Sequence, residues 1–190
     1  MNRCKLLLAM LGASALLCAA SGTASARNFS ASSQTFSVTW ARFEITGAFG
    51  TYSCPVTIEG SFHTRTIAKN VGGLIGYVTR ASVGLCSTGL FETRVLTETL
   101  PWHVRYRSFT GLLPNIGSIS TSIIGFALQV KETPFAIRCL GASSAAEPLI
   151  LNFGGEPTVS GTITTNCPGG PAPRLSFRGA GTAGLAFSLI

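Results

Sequence analysis

Cys54-Pro55-Val56-Thr57-Ile58-Glu59-Gly60-Ser61-Phe62 is the stretch whose reading decides the fold, together with its return run Leu74-Ile75-Gly76-Tyr77-Val78-Thr79-Arg80-Ala81-Ser82-Val83 and Cys86. Val56, Ile58 and Phe62 alternate with Thr57, Glu59 and Ser61. A period of two places the apolar set on one face of a strand and the polar set on the other. Lys69-Asn70-Val71-Gly72-Gly73 separates the two runs with turn-forming residues. An antiparallel hairpin centred on Asn70 makes Cys54 and Cys86 equidistant from the turn and sets them face to face. That is the short Cα separation a disulfide spans. In the same register His63 faces Tyr77, and one bulge would shift every pair by one residue.

The pattern extends in both directions. Phe36, Val38 and Trp40 alternate with Ser37 and Thr39, after which the phase slips and Phe43 and Ile45 continue it, the mark of a bulge. Trp102, Val104 and Tyr106 alternate with His103, Arg105 and Arg107. A turn at Pro114-Asn115-Ile116-Gly117 leads into Ile119–Ile123, and further short runs follow at 126–130, 135–139, 149–153, 159–165, 175–177 and 185–189. No stretch carries a sustained helical period. About ten short strands bounded by Gly, Pro, Asn or Ser describe an all-β, single-domain antiparallel β-sandwich over residues 35–190. An eight-stranded outer-membrane barrel also alternates, but its strands run about 9–11 residues between aromatic girdles. The segments here are mostly shorter and are interrupted by Gly and Pro, so the sandwich is preferred.

The chain has 190 residues, 46% hydrophobic and only 11% charged, with 22 Gly and a formal charge of +7. Low charge with abundant aliphatics argues against disorder, and the composition is not that of a helical bundle. Met1-Asn2-Arg3-Cys4-Lys5, an apolar run from Leu6 to Ala20 and the small residues Ala24 and Ala26 make the three parts of a secretory signal. Residues 1–26 are therefore expected to be removed, residues 27–34 to form a flexible leader, and the mature chain to be secreted or held at the cell envelope. No later apolar run reaches the length of a membrane-spanning helix. Four cysteines remain after removal of the signal, and in an exported chain an even count reads as disulfides. Cys54–Cys86 follows from the hairpin, and Cys139–Cys167 by elimination.

Reactive chemistry finds few materials. The chain has no Asp, so a Ser-His-Asp triad is impossible, and neither His63 nor His103 sits in a pattern that activates a nucleophile. Two histidines without an acidic cluster fall short of a metal site, and no cofactor is expected. Gly179-Ala180-Gly181-Thr182-Ala183-Gly184 matches a dinucleotide-binding phrase in letters alone, since no room for the required helix follows. Two surface features are worth carrying forward. His63, Arg65, Arg80, His103, Arg105 and Arg107 make a cationic patch if their strands adjoin, suited to anionic envelope polymers. Trp40, Trp102 and Tyr106 make a platform for sugar rings if at least two are exposed. The cations are too thinly spread for nucleic acid.

The hairpin stretch, with Leu100-Pro101-Trp102-His103-Val104-Arg105-Tyr106 and Thr110-Gly111-Leu112-Leu113-Pro114-Asn115-Ile116, resembles a group of exported bacterial proteins of unknown function. The resemblance covers roughly residues 35–140, implies export and a β fold, and supplies no site. The expectation is thus a non-enzymatic binding or structural module of the cell exterior. A carbohydrate-binding module is its alternative, and a secreted hydrolase built on His63 or His103 a more distant one.

Overall fold

Strands with an apolar side chain at every second position need a shared interior, and the ladder supplies one by closing on itself. A computed structural model describes residues 28–47, 50–87, 91–112, 115–132, 135–137, 140–142, 148–166 and 174–189. Residues 1–26, Cys139 and Cys167 lie outside the described residues, and with them the expected signal and second disulfide. The first half contains β1 (Asn28–Ala31), β2 (Thr35–Gly47), β3 (Gly50–Phe62), β4 (Thr66–Ala68), β5 (Leu74–Val83), β6 (Phe91–Val95), β7 (Trp102–Leu112) and β8 (Asn115–Ile124). The second contains β9 (Leu128–Glu132), β10 (Phe135–Ile137), β11 (Leu140–Ala142), β12 (Leu149–Phe153), β13 (Thr158–Asn166), β14 (Arg174–Ala180), β15 (Thr182–Ala183) and β16 (Phe187–Leu189).

Among these, β2, β3, β5, β7, β8, β12, β13 and β14 each pair antiparallel with the next, and β14 returns to β2. β12 is the closing piece: Leu151 faces Thr121 of β8 on one side and Val159 of β13 on the other. The all-β antiparallel reading holds, but the two-sheet sandwich is corrected to an eight-stranded up-and-down barrel. The physical reason is edge disposal: a ring gives each of these eight strands a hydrogen-bonded neighbour on both sides.

An eight-stranded ring is just wide enough for side chains to fill. Phe36, Val38, Trp40, Phe43 and Ile45 of β2 point inward and are buried, as the alternation with its slip predicts. The ladder between β2 and β3 shifts between Trp40 and Phe43, the expected bulge. Aromatic contacts bridge the interior: Phe43 meets Phe177 at 5.2 Å between ring centroids, Trp102 meets Phe126 at 4.7 Å, and Phe36 meets both Phe62 and Phe153. Each such side chain contributes about 1.5–3 kcal/mol of burial. The alternate positions Thr35, Ser37, Thr39, Thr57 and Glu59 face outward, the reverse of a lipid-facing barrel with its apolar outer band. Among the described residues no helix is long and apolar enough to cross a membrane.

The disulfide joins Cys54 to Cys86 with a Cα separation of 4.1 Å. The register beneath it is not uniform. Ser61, rather than His63, pairs with Tyr77, and a bulge between Glu59 and Gly60 shifts the ladder so that Glu59 pairs with Arg80. Only glycine fits at position 60, where a Cβ would lie 2.1 Å from the Tyr77 carbonyl oxygen. Beyond Val56 and Val83 the strands slip again, and Ser87 N–H donates to the Ser53 carbonyl at 2.7 Å. The cysteines face each other in this last frame, the one the hairpin reading used.

Antiparallel alternation sorts the connections to two ends. At the upper end β6, β9 and β10 form a small sheet. At the lower end β1 lies between β4 and β16, and β16 adjoins β8. The flexible leader expected for residues 27–34 is therefore corrected over Asn28–Ala31. Phe29 is fully buried, touching Tyr106 and Phe109 at 5.7 and 5.2 Å, and its burial holds the segment as a strand. Lys69 Nζ sits 4.9 Å from the Phe109 centroid and 5.5 Å from that of Phe29.

Candidate functional site

Because Trp102, Val104 and Tyr106 point into the barrel, His103 and Arg105 stand on its outer wall. Arg107 follows at a bulge between Tyr106 and Ser108 and is half-buried. On the neighbouring strand Tyr77 pairs directly with His103. Its ring meets the His103 imidazole edge-on at 5.2 Å and, on its other side, the His63 imidazole at 4.9 Å. His63 reaches this position from just beyond the end of β3, where its N–H donates to the Ile75 carbonyl at 2.9 Å. The expected contact between His63 and Tyr77 is therefore present, made diagonally across the ladder.

Arg105 faces Leu74 of β5 and Ser122 of β8. Its neighbours cover it enough that Nε is buried, and Nε finds no acceptor among the described residues. Buried donors are nearly always bonded, so this Nε, closed to solvent, leaves Arg105 one partner short within its own chain. Trp40 Nε1 is the other such donor, but it lies inside the ring beside the Phe43 ring, tilted at 67° and 5.9 Å away. A π face is a weak acceptor for an N–H.

Two of the six expected cations stand apart from this cluster. Arg80 is paired with Glu59 at 3.8 Å, both side chains being well exposed, so its charge is locally answered. Such a surface pair contributes little to stability. Arg65 donates from Nε to the Ala31 carbonyl at 3.1 Å, tying the lower loop to β1. The wall thus brings together His63, Tyr77, His103 and, further along β7, Arg105 and Arg107. Tyr77 is the member the sequence reading did not assign to the patch. Its outward phase between Gly76 and Val78 was the available signal.

The sugar platform is overturned by its own criterion. Trp40, Trp102 and Tyr106 are 1%, 0% and 3% exposed. Trp102 spends its indole N–H on Thr99 Oγ1 at 2.8 Å. Both histidines lie exposed on the wall with Tyr77 as neighbour, and among the described residues no three His, Cys, Asp or Glu side chains converge to hold a metal ion. Gly179–Gly184 spans the end of β14 and β15 on the barrel, not a phosphate-binding turn before a helix. No family model, curated protein or solved structure matches the chain.

Proposed function

We propose that this protein is an exported envelope module that binds an anionic polymer on the outer wall formed by β5 and β7, without catalysing a reaction. The observation that carries the reading is the row of His63, Tyr77 and His103, continued by an Arg105 whose buried Nε lacks an acceptor. A guanidinium held in place by its neighbours meets a carboxylate or phosphate with less ordering cost than a free surface arginine. The half-buried Tyr77 ring adds a flat apolar surface between polar edges, suited to a repeating chain that alternates rings and charges. The filled interior supports the same reading, because aromatic side chains occupy the space where a lipocalin-like barrel would hold a ligand.

The test is binding of the purified mature chain to polygalacturonate and to polyphosphate, with neutral dextran as control. Arg105→Gln/Arg107→Gln is expected to lose about tenfold or more in affinity, the weight of one charge-assisted hydrogen bond. Added salt should weaken the native protein's binding as well. Equal binding by the double variant, or equal binding to dextran, would sink the proposal.

A further inference from the structure

The turns at the lower end raise a separate question, because apolar exposure is concentrated there. Four large hydrophobic side chains are exposed among the described residues, and three belong to this end. Val71 is 73% exposed in the turn before β5, Leu74 is 39% exposed at its start, and Leu112 is 85% exposed at the tip of the β7–β8 hairpin. Single exposed hydrophobics need no explanation, but three on the turns of one barrel end do. Charge follows the same division. Arg65, Lys69 and Arg107 stand at the lower end against one carboxylate, Glu156, among the described residues. At the upper end, among the described side chains, Arg94 is accompanied by two carboxylates, Glu92 and Glu98.

We propose that the lower end docks on an anionic phospholipid surface, with Val71 and Leu112 entering the interface and Arg65 and Lys69 meeting headgroup phosphates. Apolar tips flanked by cations are what peripheral membrane attachment requires, and each basic residue near an anionic surface adds its own increment. Lys69 is half-buried, its ammonium lies over the Phe29 and Phe109 rings, and no carboxylate pairs with it among the described residues. A second copy of the chain is a poorer occupant. A stable protein interface buries about 800 Å² per partner, more than three side chains on two turns provide. A soluble polyanion would use the charges but not the apolar tips.

The experiment is flotation of the purified mature chain with phosphatidylcholine vesicles, with and without phosphatidylglycerol. The native protein is expected to float with the anionic vesicles only. Val71→Ser/Leu112→Ser is expected to lose about tenfold or more in vesicle affinity, since these tips no longer bury apolar area. Lys69→Gln is expected to lose about fivefold, the weight of one basic residue. Val71→Ser/Leu112→Ser should keep the native melting temperature, because both side chains are largely exposed. Arg105→Gln, on the wall, should float like the native protein, which separates this proposal from polymer binding. Absence of flotation with anionic vesicles, or flotation of the apolar double variant equal to that of the native chain, would overturn it. A stable dimer that buries Val71 and Leu112 would overturn it too.

Discussion

Tyr52 shows how a single side chain couples the barrel to solution conditions. It is 5% exposed on β3, and Thr93 Oγ1 donates to its hydroxyl at 3.3 Å. Burial pushes its pKa above the ordinary tyrosine value, and the weaker Thr93 hydrogen bond pulls the other way. Burial also raises Tyr106. A pKa raised in the folded state means that the unfolded chain releases the proton more easily. The stability involved is complete below about pH 10, the unfolded tyrosine value, and is lost as pH rises through the folded value. Melting temperature should hold level from neutral pH and fall in that alkaline range, and Tyr52→Phe should lessen the fall. Melting curves across the alkaline range, followed by circular dichroism, read this, and a fall of unchanged steepness in the variant would refute it. At this scale much was legible in advance. The slip after Trp40 was visible because Phe43 and Ile45 resume the alternation. The burial of Arg105 Nε was not, because Leu74 and Ser122 come from two other strands.

An isolated segment is legible only when its own residues carry the pattern, and β1 marks where that fails. Asn28-Phe29-Ser30-Ala31 offers one large apolar side chain among small ones, too little for a period. Its strand character comes from partners distant in sequence, with Phe29 pairing Ile67 on one side and Leu189 on the other. Phe29→Ala should cost about 3–5 kcal/mol, as emptying an aromatic site does. Asn28→Ala should stay within about 0.5 kcal/mol. Urea denaturation followed by circular dichroism measures both, and a Phe29→Ala cost as small as that of Asn28→Ala would mean that β1 is dispensable to the lower end. The Cys54–Cys86 hairpin was legible for the opposite reason. Both strands carry the pattern, and a covalent bond requires two particular residues to meet whatever slips occur between them. The two slips decided which face-to-face pairs the sequence could name, so Tyr77 gained Ser61 as its ladder partner and kept His63 as a diagonal one.

Whether a set of alternating strands closes is a property of the whole chain, which is why the pattern suggested a sandwich and the ladder made a ring. A period of two states that one face is buried; it is silent on whether the last strand finds the first. Closure here depends on the short strand β12 bonding on both edges. Gly161 on β13 lies at that seam with φ +155°, and a Cβ there would stand 2.6 Å from the Pro148 carbonyl oxygen and 2.8 Å from Leu149 Cα. Backbone cannot yield as a flexible side chain does, so Gly161→Ala must push β12 away from β13. The expected cost is about 3 kcal/mol, that of strain at a glycine-only position combined with a broken ladder. Ser160→Ala, one residue earlier on the exposed face, should cost no more than about 0.5 kcal/mol. Hydrogen exchange distinguishes a seam from a general weakness. In Gly161→Ala the amides of β12 and of its β13 neighbours should exchange early, while those between β2 and β3 keep their protection until the barrel unfolds as a unit. If β12 stays as protected as β2 in that variant, the ring is held shut elsewhere and β12 is a covering strand instead of the closing one.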